Sequence, residues 1–202
     1  MQQNFSAILE EGREDGLIQG GVFQNQELEE LDCSGLDFKE CVFTGCLFRR
    51  CDFTRASFYT VRFSRCAMSG CPLPQSYWHG CTVEACKWDG CDLRRARYKQ
   101  TRLHDCLFRY ANFSGAVFQN TALDACNCAG AALTELRLKR AAFSKVDLTG
   151  ADLFRTSLKG IDLSSCTIDH IALSETCAEL KGAVLDASQA PVVARILGIK
   201  IH

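Results

Sequence analysis

What this 202-residue chain lacks narrows its class before any motif is found. No stretch approaches the roughly 18 to 20 consecutive apolar residues of a membrane-spanning helix, so a helical membrane protein is excluded and no membrane contact is expected. The opening residues MQQNFSAILEEGRED carry neither the basic nor the apolar segment of a secretion signal, which makes the cytoplasm the expected location. No nucleophile motif, glycine-rich phosphate loop or HExxH pattern occurs, so neither catalysis nor a cofactor is expected. The four histidines, His79, His104, His170 and His202, have no recurring cysteine or carboxylate partner and read as surface residues rather than metal ligands.

Net charge is nearly absent too, at −1, but its distribution is uneven. Residues 1–40 hold ten acids and two bases, 41–110 hold twelve bases and five acids, and 111–202 hold nine of each. Cysteine is abundant, at fourteen residues. In a short secreted chain that count would imply disulfides; here the length and the missing export signal favour reduced thiols.

The cysteines also point to the organising feature, a period of five. Every fifth residue from Ile18 to Leu173 is apolar, including Phe38, Phe58, Trp78, Tyr98 and Phe118. For 32 positions at a 47% apolar content, chance would produce this on the order of once in ten billion chains. Two residues before each centre sits a second set, without charge and dominated by Cys, Ala, Val, Thr, Leu and Ile; eleven of the fourteen cysteines belong to it. Positions two apart share a face only in extended backbone, so each unit reads as a short β-like segment followed by a corner. Ten of the fifteen glycines fall two residues after a centre, at that corner. Cys46, Cys66, Cys86, Cys106 and Cys126 recur every twenty residues; a line of thiols along an axis does not converge as a tetrahedral metal site must, so they read as small core residues.

Units such as CDFTR (51–55), ANFSG (111–115), VDLTG (146–150) and ADLFR (151–155) resemble the A(D/N)Lxx consensus of pentapeptide-repeat proteins. The resemblance implies an all-β solenoid, a right-handed quadrilateral β-helix of four units per coil. Thirty-two units then make about eight coils, a rod of about 38 Å at roughly 4.8 Å per coil. The unbroken phase predicts no large loop. Pro72 and Pro74 are expected to flatten or bulge one corner, because proline cannot donate to the ladder, and the shift from phenylalanine to leucine centres after Leu123 predicts a change of cross-section or turn type. An inward charge, such as Phe58→Asp, should be badly tolerated.

The expected organisation is an N-terminal cap over 1–15, repeats over 16–177 and a C-terminal cap or dimer segment over 178–202. Phe5, Ile8 and Leu9 are placed to cover the first coil after a Ser6 helix cap. At the other end Ser188 is favoured over Asp186 as helix cap because Pro191 suits a first turn, and Gly198 ends the helix. Val192, Val193, Ile196 and Leu197 form an apolar stripe, with Ile199 and Ile201 alternating as a short strand beyond it. This tail is similar to that of quinolone-resistance (Qnr-type) and related mycobacterial pentapeptide proteins, which implies a tail-to-tail homodimer through those six residues. Such relatives imitate duplex DNA and bind DNA gyrase or topoisomerase IV, protecting them from quinolones or peptide toxins. The resemblance thus implies a type II topoisomerase as partner; an interaction scaffold with a different protein partner is the alternative. A mimic of duplex DNA should be acidic along its length, yet one side gathers Lys39, Arg97, Lys99, Arg137, Lys139, Arg140 and Lys159 against Asp37 and Glu40, a candidate partner-binding surface. Direct nucleic-acid binding is disfavoured, because the only exposed aromatic platforms in view are Tyr59, Tyr77 and Tyr110.

Overall fold

The computed structural model describes residues 4–200. The repeat winds into a parallel β-solenoid with four faces, in which each centre residue points to the axis and its two neighbours point outward. Every fifth residue from position 20 to 160 has positive φ, whether glycine or not, and this left-handed residue turns the chain from one face to the next. Its cost to an L-residue, on the order of 1–2 kcal/mol, explains why glycine fills ten of these corners.

Two faces are regular sheets. The first holds seven parallel three-residue strands from Leu17–Gln19 to Arg137–Lys139, the second seven from Val22–Gln24 to Ala142–Ser144. The register is twenty residues at every step, as in Phe38↔Phe58 and Phe58↔Trp78. The third face has strands only at Glu27–Glu29 and Leu47–Arg49, then changes at Ala67 to isolated bridges and turns; the fourth is built of such bridges, interrupted between Asp52 and Pro72, where proline has no N–H to donate. The strand-built part makes six full turns on the first face, against the eight coils implied by the unit count. Beyond Ser144 the winding continues, but neighbours pair through single bridges such as Asp152↔Ala172. The change of turn type also falls at Ala67, well before the leucine-rich stretch. Pro72 bridges Asp92 in the ordinary register, and its carbonyl accepts from Phe53 N–H at 2.9 Å, so the proline corner does not bulge.

The consensus Asp or Asn has a local purpose. On the turn faces its Oδ1 accepts the backbone N–H two residues on, as Asp52 does from Thr54 (2.7 Å), Asn112 from Ser114 (3.0 Å) and Asp147 from Thr149 (2.9 Å). The small inward residue has another. Its thiol or hydroxyl donates to the carbonyl of the centre residue 23 positions earlier, one coil below: Cys81 to Phe58 (3.3 Å), Cys91 to Met68 (2.9 Å), Thr121 to Tyr98 (3.3 Å). All fourteen cysteines are free thiols and thirteen are buried. Between these columns the rings stack: Phe38 on Phe58 at 5.1 Å, Phe58 on Trp78 at 3.9 Å, Trp78 on Tyr98 at 5.8 Å, with Phe118 edge-on to Tyr98 at 5.0 Å.

Helix α1 (Phe5–Asp15) closes the N-terminal end by placing the Phe5 ring 4.9 Å from Phe23 and 5.5 Å from Phe43. Its cap is Asn4, not Ser6: Asn4 Oδ1 accepts from Ser6 and Ala7 N–H at 3.0 and 3.4 Å, while Gln26 Oε1 accepts from Phe5 N–H. Phe5 is thereby the first helical residue and not part of the approach to it.

The C-terminal end departs from the expected phase. After Leu173 two extra residues enter, so Leu158 donates to Glu179 and Leu163 to Val184, each 21 positions away, where the regular spacing is 19. Two further units follow in the new phase, Ala178-Glu179-Leu180 and Ala183-Val184-Leu185, completing the stack through Asp162↔Val184. The slip buries Glu179, whose carboxylate accepts from Arg155 N–H (2.9 Å), Ser174 N–H (3.2 Å) and Ser174 Oγ (2.8 Å). Helix α2 (Ala190–Ile196) then crosses the end. Asp186, not Ser188, supplies the cap, in a reciprocal box with Gln189 around the short turn preceding α2; Pro191 sits in the first turn of α2 itself. Gly198, at φ 77°, ends the helix, with Ile199 N–H bonding Ala194 O. Ile199 is not in a strand, and Ile201 and His202 lie outside the described residues.

Candidate partner-binding surfaces

The four-sided winding gathers all nine residues of the charged set on the first face. Asp37 and Lys39 flank the buried Phe38, Arg97 and Lys99 flank Tyr98, and Arg137 and Lys139 flank Leu138. Glu40 and Arg140 are corner residues at φ 54° and 51°, and Lys159 follows the buried Leu158. The register sets Arg97 and Arg137 on either side of Val117, and Lys99 and Lys139 on either side of Gln119. A shallow groove of about 380 Å³ lies between these four cations.

The two acids sit at the N-terminal end, where Lys39 Nζ lies 5.6 Å from the Tyr59 ring centre. From Ser57 to Gly160 this face presents no Asp or Glu. Ion pairs form elsewhere, with Arg50 on Glu29 and Glu30, Arg109 on Asp89 and Arg155 on Glu135; among the described residues none includes Arg97, Lys99, Arg137, Lys139, Arg140 or Lys159. Like charges left unpaired on one face sum to a positive potential there. The register also brings in aromatic groups that the charge pattern does not reveal. Tyr77 pairs with Arg97 and His79 with Lys99; the Tyr77 ring lies 5.6 Å from Tyr59 and 6.3 Å from His79. Tyr77 is in view from the sequence as an aromatic side chain; counting in steps of twenty places it beside Arg97 and adds His79 beside Lys99.

A second surface lies at the C-terminus. Val192 and Ile196 pack on the core, and Gln189 fastens α2 by donating from Nε2 to Leu163 O (2.9 Å) and Cys166 O (2.7 Å). Val193 is half-buried, while Leu197 and Ile199 remain 52% and 54% exposed. The expected stripe therefore divides into a packed side and a free side.

The thiols of the columns are not all alike: hydrogen bonds with Cys46 and Cys86 pull Cys66 down. Burial pushes Cys71 and Cys81 up to about 11, which keeps them protonated. No group of three or more His, Cys, Asp or Glu among the described residues could hold a metal ion. No helix among them is long and apolar enough to cross a membrane.

The model of the pentapeptide repeat region matches this chain three times in overlapping registers, over residues 41–110, 56–133 and 76–153. The chain belongs to the pentapeptide-repeat family. Among solved structures, this pentapeptide-repeat protein is similar to trypsin-treated QnrB1, a plasmid-mediated fluoroquinolone resistance protein, at 24% identity and a TM-score of 0.59, covering 92% of this chain and 94% of that one. Full-length QnrB1 gives 23% and 0.57 over 91% and 95%. HetL, a pentapeptide-repeat protein involved in heterocyst differentiation regulation in the cyanobacterium Nostoc, gives 17% and 0.43 over 92% and 94%. At such identities the QnrB1 matches establish a shared fold. No curated protein matches the sequence.

Proposed function

We propose that this pentapeptide-repeat protein acts without catalysis, presenting its surface to a type II topoisomerase, DNA gyrase or topoisomerase IV, and protecting it from quinolones or a peptide toxin. The observation that carries this reading is a likeness to a fluoroquinolone resistance protein that runs through nearly the whole of both chains. The twenty-residue register of the two seven-stranded faces supports it, because such a stack offers an even surface along a rod, the property a duplex-like ligand needs. The exposed Leu197 and Ile199 just beyond α2 support a homodimer through the C-terminus.

A second reading, an interaction scaffold for a different protein, is favoured by the unpaired cations of the first face, which run against imitation of an anionic duplex. Gyrase supercoiling measured with and without ciprofloxacin over increasing protein concentration separates the two. Rescue of supercoiling, or inhibition without drug, supports the topoisomerase reading; no effect at any concentration leaves the scaffold.

A further inference from the structure

We infer that the first face binds single-stranded nucleic acid, with Arg97, Lys99, Arg137 and Lys139 holding the phosphate backbone and Tyr77 stacking a base. The inference rests on the groove and its register and is independent of the topoisomerase reading. The four cations stand at the corners of the groove, with the small Val117 and neutral Gln119 between them. Side chains two residues apart on a strand lie roughly 7 Å apart, and those two coils apart roughly 10 Å apart. That is an even spread of positive charge, suited to a chain carrying one anion per nucleotide. Lys159 extends it toward the C-terminus, Arg140 stands at the corner toward the second face, and no acid on this face opposes it after Glu40.

The aromatic side chains decide the class of polyanion. Tyr77 lines the end of the groove and is half-buried, its ring centre 5.6 Å from Tyr59 and 6.3 Å from His79, which neighbour each other in the adjoining column. A cationic groove ending in an aromatic ring is the arrangement that binds single strands with little sequence preference. A duplex keeps its base faces stacked, and this flat sheet projects no helix or ribbon to enter a groove. An acidic peptide would meet the cations but cannot add as a strand, since the coils above and below already use the backbone N–H and C=O groups of this face.

Fluorescence anisotropy of labelled dT20 with the full-length protein tests this. Four phosphate contacts predict about a 50-fold loss of affinity between 50 and 200 mM salt. Replacing Arg137→Gln and Lys139→Gln together should roughly halve the slope of log affinity against log salt, and Tyr77→Ala should weaken binding about tenfold while leaving that slope unchanged. These side chains point outward, and the salt titration of the unmodified protein stands whatever the variants' stability. The inference is overturned by no binding at 50 mM salt, by a 20-base-pair duplex binding as tightly as dT20, or by an equal loss from Arg62→Gln with Arg65→Gln on the neighbouring face. It is equally overturned if polyglutamate competes as well as dT20 and Tyr77→Ala has no effect, which would assign the face to an acidic protein.

Discussion

Tyr98 carries a hydroxyl into a column otherwise built of Phe38, Phe58, Trp78 and Phe118. It is fully buried, and its OH has no hydrogen-bond partner among the described residues. Removing a buried unsatisfied group should relieve on the order of 1 kcal/mol or more. Tyr98→Phe is therefore expected to raise the urea midpoint with an unchanged slope, whereas Ser76→Ala, which strips the partner of Trp78 Nε1 at 2.9 Å, should lower it. Glu179 presents the opposite case. Burial pushes its pKa up, but the N–H groups of Arg155 and Ser174 and the Ser174 hydroxyl outweigh this and hold it below the ordinary 4.5. A depressed folded value means stability that is fully present above about 4.5 and lost as pH falls through the folded value. Unfolding free energy followed from pH 6 to pH 3 should fall more gently in Glu179→Gln than in the unmodified protein over that window.

Among elements, the corner and its side-chain clamp were legible and the exceptions were not. The Asp or Asn before a centre announces an accepted N–H, so Asp147→Ala, which frees Thr149 N–H and also breaks a 3.2 Å contact to Asn127 Nδ2, should cost about 1 kcal/mol in urea unfolding. The helix caps were misplaced because several residues could accept the same N–H groups. Asn4 and Ser6, or Asp186 and Ser188, differ only in where the first helical turn is anchored, and Gln26 and the Leu163 carbonyl make that choice from other coils. The late units at Ala178 and Ala183 escaped a fixed count of five because two inserted residues shift their phase, although AELKG and AVLDA keep the repeat's pattern of small, outward and apolar positions.

For the whole molecule, the homodimer proposed through the C-terminus rests on the apolar side chains left exposed at that end. Val192 and Ile196 are already committed to the last coil, which leaves Leu197 and Ile199 to meet a second copy. Sedimentation at micromolar concentration is expected to show a dimer. Leu197→Glu should give a monomer with an unchanged melting temperature in the dilute limit, because the substituted side chain is exposed in the single chain. A monomer at all concentrations in the unmodified protein would leave α2 as a cap alone.

The sequence by itself determined which residues face inward, through a five-residue period of apolar centres, uncharged second positions and glycine-rich corners; four units to the turn is what the resemblance to pentapeptide-repeat proteins implied. It also determined which side carries the unpaired cations, once four units make a turn. Only the tertiary structure decided how many turns hold true strands, where Glu179 is buried and which half of the apolar tail is free, since each depends on contacts between residues 19 to 26 positions apart with no local signature. The same stacking placed Tyr77 beside Arg97 and closed the first face to strand addition, turning a row of charges into a groove with an aromatic end.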